Sequence, residues 1–406
     1  MKGQEKPDIT YPGADLCMKM PYKIVSASLA LFVTGTSLMY AAPGSTVKAE
    51  AAASVTSSME AQAKGNHSAV KKALREALKT GLPGILVKTN ENGKRWAYSA
   101  GIADLATEQQ METNYRFRIG SVTKTFTAAA VLQLAGENRL NLDDSIDKWL
   151  PGVIQGNGYD GKQITVRQLL NHTSGIADYL KSDKINLMET RKSYTPEEIV
   201  KIGLAMPADF APGKGWSYSN TGYVLLGMLI EKVTGTSYAE EIEKRIIEPL
   251  ELTDTFLPGN STVIPGSKHA RGYFQPELGK EPIEVTYYNP SVASSAGDII
   301  SSAEDLNKFF SALLGGQLLK EEQLKQMLTP VETGRKDFAG YGLGIYAFTL
   351  KNGDTVWGHT GGIPGFATFG GGTLGGKHTL AVSTNYLGAA IEHETFIKIV
   401  KAEFDK

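Results

Sequence analysis

The apolar positions of the chain change rhythm three times. Val70, Ala73, Leu74 and Leu78 recur at three- and four-residue steps, predicting a helix over His67 to Thr80 that Gly81 and Pro83 stop. Leu82 to Thr89 and Arg95 to Ala103 flank Asn90-Glu91-Asn92-Gly93, the pattern of a hairpin. From Phe117 to Gly136 the helical period returns, and Val122, Phe126, Ala129, Ala130 and Leu134 mark one buried face. Thr165 to Asn171, Tyr194 to Ala205, Thr221 to Val233 and Ser237 to Ile247 extend the helical stretch. Thr165 is a cap for the first of these, and Thr195-Pro196-Glu197-Glu198 opens the second. Beyond about residue 285, helices over Ser302 to Leu314 and Lys320 to Leu328 give way to short runs. Gly342 to Leu350, Asp354 to His359, Ala367 to Gly372 and His378 to Thr384 are predicted strands, and a last helix covers Ala390 to Phe404. Consecutive short strands favour antiparallel pairing. The prediction is an α+β fold: an antiparallel sheet flanked by helices, from residues 67 to about 115 and about 260 to 406, with a mainly helical lobe over about 116–259 inserted between. No internal repeat of fixed period is visible.

Composition narrows the function classes. A net charge of −1 over 406 residues gives no pull toward nucleic acid. The single cysteine, Cys17, leaves the folded body without a disulfide framework, and six histidines in no metal-type spacing predict no metal site. Ile24 to Val47 carries no charge, follows Lys19 and Lys23, and leads into small residues. This predicts a signal peptide over 1–49, a mobile lead-in over 50–66, a catalytic domain over 67–406 and a secreted protein. An uncleaved anchor is the alternative; cleavage leaves no stable membrane insertion.

Three short motifs carry candidate chemistry. Ser121-Val122-Thr123-Lys124 puts a hydroxyl and an amine on one side of a helix start, where an anion is favoured, although Ser is also a common cap. Tyr218-Ser219-Asn220 precedes the Thr221 helix. Its tyrosine serves as a base only if a cation such as Lys124 lowers a pKa normally about 10, and otherwise Ser219 or Asn220 is simply a cap. His359-Thr360-Gly361-Gly362 lies at the end of the strand Asp354 to Gly358 and before the turn Ile363-Pro364-Gly365. Paired glycines there let a substrate backbone approach. His172-Thr173-Ser174-Gly175 reads as a structural turn, and the Gly371 to His378 run lacks the helix that a phosphate loop needs.

In this order the three motifs resemble the serine β-lactamase/DD-peptidase superfamily, in its class C β-lactamase and D-Ala-D-Ala carboxypeptidase branch, and within it the alkaline D-peptidases (D-stereospecific endopeptidases) of bacilli. Phe117 to Lys124, Leu169 to Gly175, Tyr218 to Tyr223 and His359 to Gly361 carry the resemblance, which runs from about Ala69 to the C-terminus. It implies a β-lactamase/transpeptidase-like fold and an acyl-enzyme on Ser121. Lys124 would be its proton partner, Tyr218 the base for acylation and acid for the leaving amine, and Asn220 the holder of Lys124 and a substrate carbonyl. His359, Thr360 and Gly361 would line the substrate strand, and the N–H groups of Ser121 and Gly362 would form the oxyanion hole. The implied substrates are peptides with D-residues, peptidoglycan peptides among them, with β-lactams as covalent inhibitors and no cofactor. His359 stands where most β-lactamases of the superfamily carry Lys, and Gly362 where related carboxypeptidases often carry Thr, so groups for a substrate carboxylate are missing. A β-lactamase or esterase, and a non-catalytic penicillin- or peptidoglycan-binding protein, are the rival readings.

Overall fold

A computed structural model describes residues 67–277, 280–335, 338–388 and 393–405, with side chains from residue 395 in the last segment. The expected signal peptide and lead-in lie outside the described residues. Eight strands form one sheet: β1 (Gly84–Glu91), β2 (Lys94–Asp104), β3 (Gln109–Gln110), β4 (Gly340–Tyr341), β5 (Tyr346–Thr349), β6 (Thr355–Ile363), β7 (Phe366–Thr373) and β8 (His378–Thr384). Their order is β4-β5-β6-β7-β8-β1-β2-β3, and every pairing is antiparallel. β1 pairs β8 from Ile85 opposite Thr384 to Glu91 opposite His378, so the two ends of the chain close one sheet.

Burial explains why β1 reads as continuous apolar sequence. Ile85 and Val87 face one cluster and Leu86 the other, the two-residue alternation of a strand covered on both sides. Helices α1 (Ser68–Lys79) and, at the chain's end, α9 (His393–Phe404) cover the first face through Val70, Leu74, Ile399 and Val400. The other face meets the lobe, whose helices are α2 (Thr123–Gly136), α3 (Val166–Leu170), α4 (Pro196–Leu204), α5 (Asn220–Thr234) and α6 (Tyr238–Ile242), and then α7 (Ala303–Leu314) and α8 (Glu321–Met327). Phe310 of α7 lies over Gly370 of β7, where a Cβ would sit 2.5 Å from its ring. Phe309 stacks on Phe126 of α2 at 3.7 Å, tying α7 to the central helix. Among the described residues no helix is long and apolar enough to cross a membrane.

Capping fixes several helix starts. Thr165 with Gln168, Thr195 with Glu198 and Ser237 with Glu240 form reciprocal capping boxes, each cap contributing roughly 1 kcal/mol. Ser219 caps α5 by accepting the Gly222 N–H, and Gly235, left-handed at φ 79°, ends that helix.

Three sequence expectations change. α2 is buried nearly all round, from Thr123 to Leu132, instead of along one face, because it lies between sheet and lobe. Its polar side chains find internal partners: Thr125 donates to the Gly344 carbonyl and Thr127 to that of Ser295, both at 2.8 Å. The predicted strand Gly342 to Leu350 shortens to β5, Tyr346–Thr349, and β4 lies ahead of it, since the chain turns at Gly344 (φ 79°) against α2, where a Cβ would meet Ala128 at 2.4 Å. Finally, β6 continues through Ile363, so His359 to Gly362 lie inside a strand instead of at its end.

Candidate active site

Ser121 sits in a single 3₁₀ turn, Gly120–Val122, that feeds α2. Two glycines let this turn touch β6. A Cβ on Gly361 would fall 1.9 Å from the Ile119 carbonyl oxygen and 3.0 Å from the Ser121 nitrogen, while one on Gly120 (φ 50°) would fall 2.8 Å from the Gly362 nitrogen. Backbone therefore packs directly on backbone, and the amides of Ser121 and Gly362 border one narrow junction. The Ser121 side chain remains half-buried, open enough for attack.

Lys124 is fully buried, one helical turn on. Its Nζ donates to Ser121 Oγ at 3.0 Å, to Asn220 Oδ1 at 2.7 Å and to the Ala296 carbonyl at 2.7 Å. Asn220, the first residue of α5, in turn donates through Nδ2 to Asp178 Oδ2 at 2.9 Å, and Asp178 also accepts the Leu180 N–H. Burial disfavours both charges of this line: it lowers Lys124 to about 7, against a smaller upward pull from Asp178, and raises Asp178 above the usual carboxylate range. Three donors with fixed acceptors hold the amine where it can exchange a proton with the serine.

Tyr218, half-buried, completes the group. Its ring lies 4.8 Å from Lys124 Nζ and packs at 4.3 Å on His172. Burial pushes its phenol well above 10, Tyr346 adds to that rise, and a hydrogen bond with the Ser121 side chain works in the opposite direction. The expected lowering by Lys124 is not realised: the phenol is raised, because losing water costs a phenolate its hydration.

On the strand side, His359 is buried in β6. Its Nδ1 is 2.5 Å from the Thr360 carbonyl, which only accepts, so Nδ1 carries the proton and Nε2 accepts from the Tyr341 hydroxyl at 3.0 Å. Burial first, then the Lys124 charge, lowers its pKa to about 3, so this wall presents a neutral imidazole. Thr360 and Gly362 are half-buried and Gly361 is buried, Gly362 pairing with Ala367 of β7.

The structure thus brings Ser121, Lys124, Tyr218 and Asn220 together and lays Gly361 and Gly362 against the Ser121 turn. The Beta-lactamase family model matches residues 70–402. The chain belongs to this family. It is similar to the structure of a D-stereospecific amidohydrolase from Streptomyces sp., with 40% identity, 84% of this chain and 99% of that one covered, and a TM-score of 0.77. It is similar also to the D-amino acid amidase from Ochrobactrum anthropi SV3 in complex with L-phenylalanine amide, at 28% identity, 82% and 97% coverage and a TM-score of 0.73. A further relative, penicillin-binding protein 4* of Bacillus subtilis (strain 168), is 30% identical over 284 residues; the match covers 67% of this chain and 61% of the relative's length.

Sequence reasoning missed several members of this β-lactamase-family site. Asp178 and the Ala296 carbonyl belong to loops with no periodic signal. His172, expected only as a turn residue, has a left-handed φ of 63°, accepts the Ser219 N–H through Nδ1 at 3.2 Å and carries the Tyr218 ring. Its place in the Leu169 to Gly175 motif, just ahead of Asp178, is the available signal.

Proposed function

We propose that the protein is a serine hydrolase that cleaves amide bonds in D-amino-acid-containing peptides through an acyl-enzyme on Ser121. The observation that carries this reading is the contact between Lys124 Nζ and Ser121 Oγ at 3.0 Å in a setting that lowers the lysine to about 7. A neutral Lys124 takes the Ser121 proton as the oxygen attacks the substrate carbonyl. Tyr218 stays a neutral phenol and relays a proton to the leaving amine, a division of labour that fits its raised pKa better than a resting tyrosinate. Asn220 keeps Lys124 aimed at the serine and, through Asp178, is itself held. The Ser121 and Gly362 N–H groups stabilise the oxyanion, a role worth roughly 10²–10³-fold per donor.

Preference for D-residues rests on likeness to an amidohydrolase and an amidase named for D-substrates. The neutral His359 and the bare Gly362 leave the strand wall without a side-chain charge for a substrate carboxylate, which favours chains that continue past the cleaved bond over C-terminal trimming or β-lactam turnover. β-Lactams would then acylate Ser121 slowly. The test uses paired oligopeptides that differ only in the chirality of the residue on the acyl side. Cleavage of the D-peptide, its loss in Ser121→Ala, and a mass increment on Ser121 with a slow β-lactam are expected. Equal cleavage of both peptides, or full activity in Ser121→Ala, would remove the proposal. The charge-free run Ile24 to Val47 also supports export, and N-terminal sequencing of protein from culture medium would show whether cleavage falls near Ala49.

A further inference from the structure

Away from the Ser121 motifs, four ligand-type side chains converge where the two ends of the chain meet. Glu91, the last residue of β1, stands directly opposite His378, the first of β8, so both project from the same face of the sheet. Glu403, in the last turn of α9, reaches His378 Nε2 through Oε1 at 2.8 Å and His67 Nδ1 through Oε2 at 3.0 Å. One donor atom from each of Glu91, His378 and Glu403 lies within 4.8 Å of the others. The Glu403 side chain is 0% exposed and that of His378 16%, so the group is buried beneath and open above.

We propose that Glu91, His378 and Glu403 bind a divalent transition-metal ion, with Zn²⁺ the best match, and that His67 orients Glu403 from behind. One imidazole and two carboxylates form a mixed nitrogen and oxygen set that suits Zn²⁺ and leaves a fourth position for water; purely oxygen-seeking Ca²⁺ and Mg²⁺ fit it less well. Bond lengths of about 2.0–2.2 Å put tetrahedral ligand atoms roughly 3.3–3.6 Å apart. The separations here, 2.8 Å and up to 4.8 Å, bracket that spacing, so side-chain rotation alone admits the ion. His67 is fixed for its part: its ring stacks on Trp96 at 4.2 Å and 7°, and its Nδ1–H donates to the carboxylate oxygen turned away from His378. The ion takes the place of the proton on His378 Nε2, and the neutral imidazole then carries its one N–H on Nδ1; because the ligands bind metal only in their deprotonated forms, affinity falls in acid. Bound there, it ties the start of α1, the paired strands β1 and β8 and the end of α9. Spacing along the chain predicts no metal site, because the ligands are brought together only by closure of the sheet.

The experiment is Zn²⁺ titration of the full chain by calorimetry in chelator-washed buffer, paired with thermal unfolding. About one ion per chain and a Tm raised by several degrees are expected. His378→Ala should abolish binding and Glu91→Gln weaken it about tenfold or more, while Ser121→Ala should bind as the wild type does. Glu91 lies half-buried at a strand end, so its variant folds even if a change at buried Glu403 does not. Absence of saturable binding to the wild type, or wild-type affinity in His378→Ala or Glu91→Gln, would overturn the site.

Discussion

The helical wall of the Ser121 site holds Lys124, Asn220 and Asp178 out of water, joined by hydrogen bonds of 2.7–2.9 Å, whereas the strand wall offers β6 backbone, two glycines and an imidazole that burial keeps neutral. The first wall spends desolvation to make a proton mobile. The second is close-packed and electrically quiet, and works by position. Chemistry should therefore respond to changes in charge on one side and to changes of a few atoms in volume on the other.

The largest effect should come from the charged wall. Lys124→Met fills a similar volume but cannot exchange a proton, so kcat/KM should fall by about 10²–10⁴-fold with circular dichroism unchanged. A loss of less than tenfold would show that Tyr218 alone suffices as base. On the quiet wall, Gly361→Ala adds one carbon where 1.9 Å separates it from the Ile119 carbonyl. Backbone must move, and displacement of the Ser121 turn should cost roughly 10²-fold in kcat, with about 1–3 kcal/mol of stability lost in denaturant titration. Retained kcat would mean that strand and turn do not share geometry during the reaction.

A third measurement sharpens the division between the walls. In the mechanism proposed above the amine must be neutral to accept the Ser121 proton, so kcat/KM should rise with pH through about 7, where burial sets Lys124, and remain high until the phenol ionises well above 10. A rise centred near 10 would return the role of base to Tyr218. The same profile in Asp178→Asn should shift its ascending limb to lower pH, since Asp178 favours the lysine's charge.

Much of this arrangement is written locally. Periodicity placed α1, α2 and the β1 and β2 hairpin, and the short sequences around Ser121, Tyr218 and His359 carried the residues that converge. What escaped is what folding decides. The full burial of α2 depends on a sheet whose strands come from both ends of the chain. The rise of Tyr218 depends on the loss of water around it. Asp178 matters only because α5 presents Asn220 to it, and a single acidic residue in a loop has no pattern to betray that.

The smallest effect concerns the quiet wall's neutrality. His359 has a folded pKa of about 3 against 6.5 for a free imidazole, so between these values the unfolded chain binds a proton that the folded protein refuses. Stability from this residue is therefore complete above about pH 6.5 and drains away as pH falls toward 3. His172, also lowered well below 6.5, adds to the same slope. His359→Gln keeps one donor and one acceptor for Thr360 and Tyr341 but cannot titrate in this range. Its Tm should fall less steeply between pH 6.5 and 3 than that of the wild type, with His172 supplying part of the remaining slope. Parallel curves for the two proteins would mean that His359 takes up its proton inside the fold. The strand wall would then carry a positive charge beside Lys124, and the separation of a charged wall from a neutral one would fail.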